Sequence, residues 1–322
     1  MKNPLTERIE GQLSHRGERQ LIQDISAWLG PCSIPAPYGI GDDAAVVDNS
    51  DVTQVIAKDS LVLNKHFDSQ TNPAQVGAKL LKRNLSDFAA MGASPGYALV
   101  AAFLPKSTTV DWLRGFYTGL RDCCMQYHVK IIGGDLSSTF EDLAFSLTLI
   151  GSGNEKLLTR KSANPGDTLW VTGSLGGSIQ GKHLDFTPRL EEGQWLSNTG
   201  HITSAIDLSD GLATDLKNLC PEGCIIELDT DSIPLSDACQ SMAKNSDRNA
   251  IDHALTDGED YELLFTLKKS FNSQEFSAKW EANLKTNLTC IGKLDIMRNN
   301  SMNPIRYFGS SKNFSGQGYE HY

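Results

Sequence analysis

Short apolar runs that meet acidic residues recur along the whole chain, and they constrain the fold more than any other feature. Asp42 and Asp43 open a run over 44–47, and the run over 53–58 ends at Asp59. The run over 129–132 ends at Gly133, Gly134 and Asp135. Ala205 and Ile206 end at Asp207, with Asp210 just beyond, and Asp257, Gly258, Glu259 and Asp260 lead into a run over 261–266. Runs of this length bounded by turn residues read as strands. Helical patterns lie between them. In the stretch 72–92, Asn72 suits an N-cap, Pro73 the first helical position and Gly92 the C-terminal exit. Its stripe is Gly77, Leu81, Leu85 and Phe88, with Asp87 at the edge beside Leu80, Asn84 and Met91, where a carboxylate is partly buried or paired. Further helices are expected over 18–29 and 109–127, a buried strand over 97–103 and an alternating strand over 144–150. Strands mixed with helices in both halves predict α/β or α+β layers.

A length of 322 residues suits two domains, and the boundary is placed near 151–154, giving 1–152 and 153–322. Hydrophobic content of 39% and charged content of 21% fit a globular chain. A formal net charge of −10 argues against a nucleic-acid partner, which usually meets a basic surface. It leaves nucleotides open, provided divalent cations screen the charge. The seven cysteines include no C-x-x-C pair and read as free thiols in a reducing compartment. The polar start is no secretory signal, and no apolar run approaches the roughly 18 residues of a membrane span. A soluble, cytoplasmic protein without a membrane partner is expected.

The acidic corners carry the chemistry. The Asp207–Asp210 corner alone reads equally as a helix start with favourable dipole charge, capped by Ser209. Five such corners, with Asp87, suggest convergence on one site, the bland alternative being a scatter of surface turns. An all-oxygen ligand set favours Mg²⁺ over zinc, and Mg²⁺ commonly completes its shell with water and substrate phosphates. Gly176-x4-Gly181-Lys182 nearly matches a phosphate-binding loop, but His183 replaces the required hydroxyl. His66, in the loop over 64–72, reads as structural or as a ligand contact; Arg160 reads as a phosphate partner or a turn cap. Cys220 and Cys224 read as packing, as do Trp112, Trp170 and Trp280.

Five motifs in order, Gly-Ile-Gly-Asp-Asp-Ala (39–44), Asn-Leu-Ser-Asp-Phe-Ala-Ala-Met-Gly-Ala (84–93), Ile-Gly-Gly-Asp (132–135), Ala-Ile-Asp-Leu-Ser-Asp-Gly-Leu (205–212) and Gly-Glu-Asp-Tyr-Glu-Leu (258–263), resemble the thiamine-monophosphate kinases of the aminoimidazole-ribonucleotide-synthetase-like ATP-binding superfamily. The resemblance implies an N-terminal α/β domain that pairs with its twin in a homodimer, a second α/β domain packed on it, and ATP as co-substrate near the dimer interface. By motif, Asp43, Asp59, Asp87, Asp135, Asp207 and Asp210 would hold several Mg²⁺ ions. Tyr117, Gly134, Arg160 and Ser209 would contact ATP, and His66 and Glu259 thiamine monophosphate. No general base is assigned, since the acceptor phosphate ionises by itself. The family's two hydroxyl residues before the second-strand aspartate are here Ala57 and Lys58, a departure at one metal site, where Lys58 could supply charge instead. The family's C-terminal substrate aromatic aligns with Gly316, near Phe314 and Tyr319. The alternative activity is that of another synthetase-like enzyme of the superfamily acting on an amide or small-molecule acceptor.

Overall fold

The computed structural model describes residues 20, 23, 38, 42–49, 52–153, 156–297 and 304–307. Of the helix expected over 18–29, only Gln20 and Gln23 fall within that set, both helical. Gly39, Ile40, Gly41, Cys32, Phe314, Gly316 and Tyr319 lie outside the described residues.

The mixed α/β architecture follows the expected alternation. The first sheet is built from β1 (Ala45–Asn49), β2 (Val52–Val62), β3 (Ser94–Pro105), β4 (Lys130–Thr139) and β5 (Ala144–Ser152), in the order β1-β2-β5-β3-β4. Only β3 and β4 run parallel, because a helix, α2 (Val110–Gln126), crosses between them. The first long helix, α1 (Pro73–Met91), starts at Asn72, whose side chain accepts from the Ala74 N–H, and exits at Gly92 with φ 67. Thr109 caps α2.

Three strand expectations are corrected. β2 continues past residue 58 because its pairing with β5 holds through Val62–Ala144, so Asp59 sits inside a strand, opposite Leu147. β4 likewise runs past the glycines, pairing with β3 up to Thr139. Gly134 there serves close strand approach, since a Cβ would lie 1.9 Å from the Val100 carbonyl oxygen. β3 is not buried on both faces: Ala98, Val100 and Ala102 point inward, while Tyr97, Leu99 and Phe103 are exposed.

The second sheet holds β6 (Thr168–Thr172), β7 (Ile202–Asp207), β8 (Cys224–Leu228), β9 (Leu263–Leu267), β10 (Leu288–Ile296) and β11 (Ile305–Tyr307), in the order β11-β8-β10-β6-β9-β7. The short segment Ile305–Tyr307 thus adds a strand that pairs in parallel with β8. Helices cover both faces, so β9 is buried along its length, as its unbroken Leu-Leu-Phe-Thr-Leu run requires. Leu264 joins a core beneath α5 (Leu212–Leu219), α6 (Asp237–Lys244) and α7 (Ala250–Thr256). Leu263, Phe265 and Leu267 join another, with Leu196 of α4 (Leu190–Thr199), which follows the one-turn α3 (Lys182–Asp185), and with Phe276 and Trp280 of α8 (Ser273–Asn283).

α1 is the element between the sheets. Its Leu81, Leu85 and Phe88 belong to the first core, and its Ala89 and Ala90 to the second sheet's. Its flanks meet glycines: a Cβ on Gly119 of α2 would fall 1.9 Å from the Ala74 carbonyl oxygen, and one on Gly193 of α4 equally close to that of Ala89. The helices therefore approach until backbones touch, which holds α1's polar residues in one place. No described helix is long and apolar enough to cross a membrane.

Candidate active site

α1 carries Lys79, Arg83 and Asp87 at successive four-residue steps, a single stripe on a helix with 3.6 residues per turn. Asp87 ends that stripe against two carboxylates from distant segments, Asp43 in the turn before β1 and Asp207 at the last position of β7. One ligand oxygen of each of the three lies within 4.8 Å of the others. At that separation two charged carboxylates repel by about 3.5 kcal/mol at an effective dielectric of 20. Burial, and then Asp59, Asp207 and Asp43, push the Asp87 carboxyl well above the usual range. Burial and then Asp43 push Asp207 up to about 8, against the pull of the Ser86 hydroxyl, which donates to it at 2.7 Å. Asp42 is pushed up to about 6 by burial and by Asp43.

Arg160 offsets part of this. Its Nε and Nη2 donate to the two oxygens of Asp43 at 2.8 and 2.7 Å, a bidentate pair, and its backbone N–H donates to Asp42. Burial disfavours its charge, but Asp43, Asp207 and Asp42 outweigh that. One guanidinium beside so many carboxylates leaves the cluster short of positive charge. All-oxygen donors, preformed, two of the three buried and all mutually repelling, fit a hard divalent cation.

The remaining acidic residues divide. Asp59 projects from β2 toward α1, on the same side as buried Ala57 and Leu61, and pairs with Arg83 at 3.1 Å. Lys58 falls on the opposite side and is exposed, so it does not supply the charge expected of it at the cluster. Asp210 stands beyond Asp207, its N–H donating to the Asp215 carboxylate at 3.2 Å. Asp135 is exposed on β4, bonded by the Ser137 hydroxyl. Three inter-strand spacings separate β2 from β4, about 14 Å. Gly134 shares that edge, and Tyr117 lies partly exposed on α2 with its ring edge-on to Phe116. The chain thus gathers Asp43, Asp87 and Asp207, with Asp59 and Arg160 beside them, and leaves Tyr117, Gly134 and Asp135 outside this buried group.

Ser209 does not cap α5. Gly211, with φ 97, is the N-cap and, having no side chain, makes no side-chain capping bond. The Ser209 carbonyl instead accepts from the Glu259 N–H at 2.8 Å, and the Leu208 carbonyl from the Tyr261 N–H. These bonds stitch the 207–212 corner to the 257–262 corner. There the backbone is strained, with positive φ at Gly258 (74), Glu259 (54) and Tyr261 (51). The result points Glu259 at Lys79, 2.7 Å away, and the Tyr261 hydroxyl donates to the same carboxylate at 3.0 Å. Burial would raise Glu259, but the Lys79 ammonium, and then Arg83, hold it below its usual value. Fully buried Lys79 also donates to the His66 backbone oxygen at 2.9 Å, while His66 Nδ1 accepts from the Val62 N–H. Lys79 therefore joins the His66 loop of the first half to Glu259 of the second.

Asp260 and Asp257 face elsewhere: their carboxylates take the Gly176 and Gly177 N–H groups. Lys182, of the near-match to a phosphate loop, is held by Glu262 at 2.8 Å and the Ser174 carbonyl, with Arg189 on the same Glu262. Cys220 and Cys224 are buried free thiols.

Sequence reasoning overlooked Lys79, Arg83 and Asp215. The signal was there: Lys79 and Arg83 stand eight and four positions before Asp87, and Asp215 interrupts the apolar positions Leu212, Leu216 and Leu219.

Residues 41–152 match the family model for AIR synthase related protein, N-terminal domain. The chain is 35% identical to the thiamine-monophosphate kinase of Salmonella typhimurium over 334 residues, spanning 95% of this chain and 98% of that protein. It is 39% identical to that of Rhodopirellula baltica over 237 residues, 70% of this chain and 75% of the relative. The solved structure of AaThiL complexed with AMPPCP and TMP superposes with a TM-score of 0.83 at 28% identity, covering 98% of this chain and all of that one.

Proposed function

The chain belongs to the thiamine-monophosphate kinase family, and from that premise we propose that it transfers the γ-phosphoryl group of ATP directly to the phosphate of thiamine monophosphate, giving thiamine diphosphate and ADP. One observation carries the reading: Asp43, Asp87 and Asp207, 164 positions apart at the extremes, come within 4.8 Å of one another. Carboxylates so placed suit a reaction between two polyanions. Asp43, Asp87, Asp207 and Asp210, with Asp135 as a further ligand, would hold magnesium, whose charge would offset phosphate–phosphate repulsion; the family resemblance implies Asp59 as one more ligand. Arg160 positions Asp43 and lends its own charge to the ATP side, with Ser209 nearby. Glu259 and His66, fixed by Lys79, hold the acceptor. The acceptor phosphate has a second pKa of about 6 and is ionised near neutral pH, so none of the chain's residues has to remove a proton.

We place a second copy of the chain against the first sheet. Tyr97, Leu99 and Phe103 on β3 expose an apolar face, and Ile131, Ile132 and Leu136 on the neighbouring edge strand β4 are exposed as well; apolar exposure of this kind marks an interface. Gly134 and Asp135 lie on that edge strand and, with Tyr117 of α2, would meet the nucleotide. Residues 1–152 then serve as the nucleotide- and metal-binding, pair-forming domain and 153–322 as the domain packed on it. The free thiols among the described cysteines suit the cytoplasm.

ADP release in Mg²⁺, measured with and without thiamine monophosphate, tests the assignment. Acceptor-dependent release is the expected result; nucleotide binding with no acceptor-dependent turnover rejects it.

A further inference from the structure

Around Asp59 the chain offers a metal ion very little. The residue before it on the same side of β2 is Ala57, a buried methyl group with no oxygen to donate. Lys58 leaves from the opposite side, exposed. The space is instead taken by Arg83. Its Nη2 lies 3.1 Å from Asp59 Oδ1, and its Nη1 donates to the Ser60 backbone oxygen at 2.9 Å. One guanidinium so occupies a carboxylate oxygen and the next main-chain oxygen of the strand. Both partners are largely shielded, at 13% and 21% side-chain exposure. Arg83 stays charged because Asp59, Glu259 and Asp87 outweigh its burial. It therefore sits between the carboxylate cluster and the Glu259–Lys79 pair, where the donor and acceptor phosphates meet in the kinase reading. Its Nε is buried and has no hydrogen-bond partner among the described residues, a donor left for an incoming acceptor such as a phosphate oxygen.

We propose that Arg83 is a resident cation that takes the place of one divalent ion at Asp59, so that Asp59 is its counter-ion and not a metal ligand in this chain. The inference rests on the kinase reading and narrows it: one fewer metal ion is bound, and a fixed guanidinium does part of the charge neutralisation. A guanidinium is always charged and its planar fork matches carboxylate and phosphate geometry, which suits it to this substitution.

The test counts ions. Full-length protein is saturated with a non-hydrolysable ATP analogue, and bound Mn²⁺ per chain is read from the loss of the free-ion paramagnetic resonance signal. Wild type and D59N are expected to bind the same number. R83Q, which keeps a polar side chain in the same space, is expected to bind one more, and the R83Q/D59N double variant to return to the wild-type number. A count one lower in D59N, or an unchanged count in R83Q, overturns the proposal while leaving the kinase assignment intact. D59N decides alone if R83Q does not fold. Wild type that binds no Mn²⁺ beside the analogue overturns the metal reading, and this inference with it.

Discussion

Asp207 shows how one side chain couples stability to function. Its carboxyl, ordinarily near 3.8, is pushed to about 8 by burial and then by Asp43. A carboxyl whose pKa is higher folded than unfolded favours the folded state while protonated, and that contribution is lost as pH rises through the folded value. The metal-free protein should therefore lose stability as pH rises toward 8 and level off above it. A melting-temperature series from pH 5 to 9 checks this; D207N should flatten the slope below 8, and saturating Mg²⁺ with the ATP analogue should shrink it. D207N should also depress turnover at least a hundredfold while the fold persists, because the missing negative charge belongs to the cluster and not to the core. Lys79 makes a complementary case. K79M strands Glu259 beside an apolar side chain, which costs about 3 kcal/mol by the measure of broken buried pairs. Because Lys79 also holds the His66 loop, KM for thiamine monophosphate should rise about tenfold or more, with KM for ATP much less affected. Equal changes in both constants would show a general loss of structure.

At the scale of elements, α1 decides where the cluster forms. Its caps, Asn72 and Gly92, and its stripe of Leu81, Leu85 and Phe88 are legible from residue spacing alone. Its position between two sheets is not, because that depends on the close approaches at Gly119 and Gly193. G193A should force α4 away from α1 and destabilise the fold by about 2 kcal/mol or more, the usual scale of overpacking. The displacement should also weaken Mn²⁺ binding, since Asp87 and Ser86 ride on α1. Denaturant unfolding and the ion count together check it; a variant as stable as wild type would mean the helices do not depend on that contact. The strand ends show the limit of local reading. Gly133 and Gly134 read as a stop, but they lie within β4, where the neighbouring backbone leaves no room for a Cβ.

For the whole molecule, the exposed face of the first sheet is the feature that a lone chain leaves unexplained. Leu99 and Phe103 point outward beside Tyr97, with Ile132 on the edge strand. Sedimentation should give about twice the 35.2 kDa chain mass, and L99D/F103D should halve it. If that face carries the dimer, the same variant should lose ATP turnover while its Asp43–Asp87–Asp207 cluster still binds Mn²⁺. A dimer that survives the substitution would place the interface elsewhere.

The sequence alone determined the α/β layering, the boundaries of α1 and α2 and the acidic residues that meet in the cluster, because period, caps and turn residues are local properties of the chain. It also carried the family's motifs in order. Tertiary structure decided which acids meet. Asp43, Asp87 and Asp207 are brought together by a turn, a helix and a strand end from different parts of the chain, whereas Asp257 and Asp260 bind backbone N–H groups near Gly176. It also decided what Arg83 and Lys79 meet. Charge on a helix is visible in a sequence, but whether that charge meets water or a carboxylate depends on what packs against the helix, and those partners lie tens to hundreds of residues away.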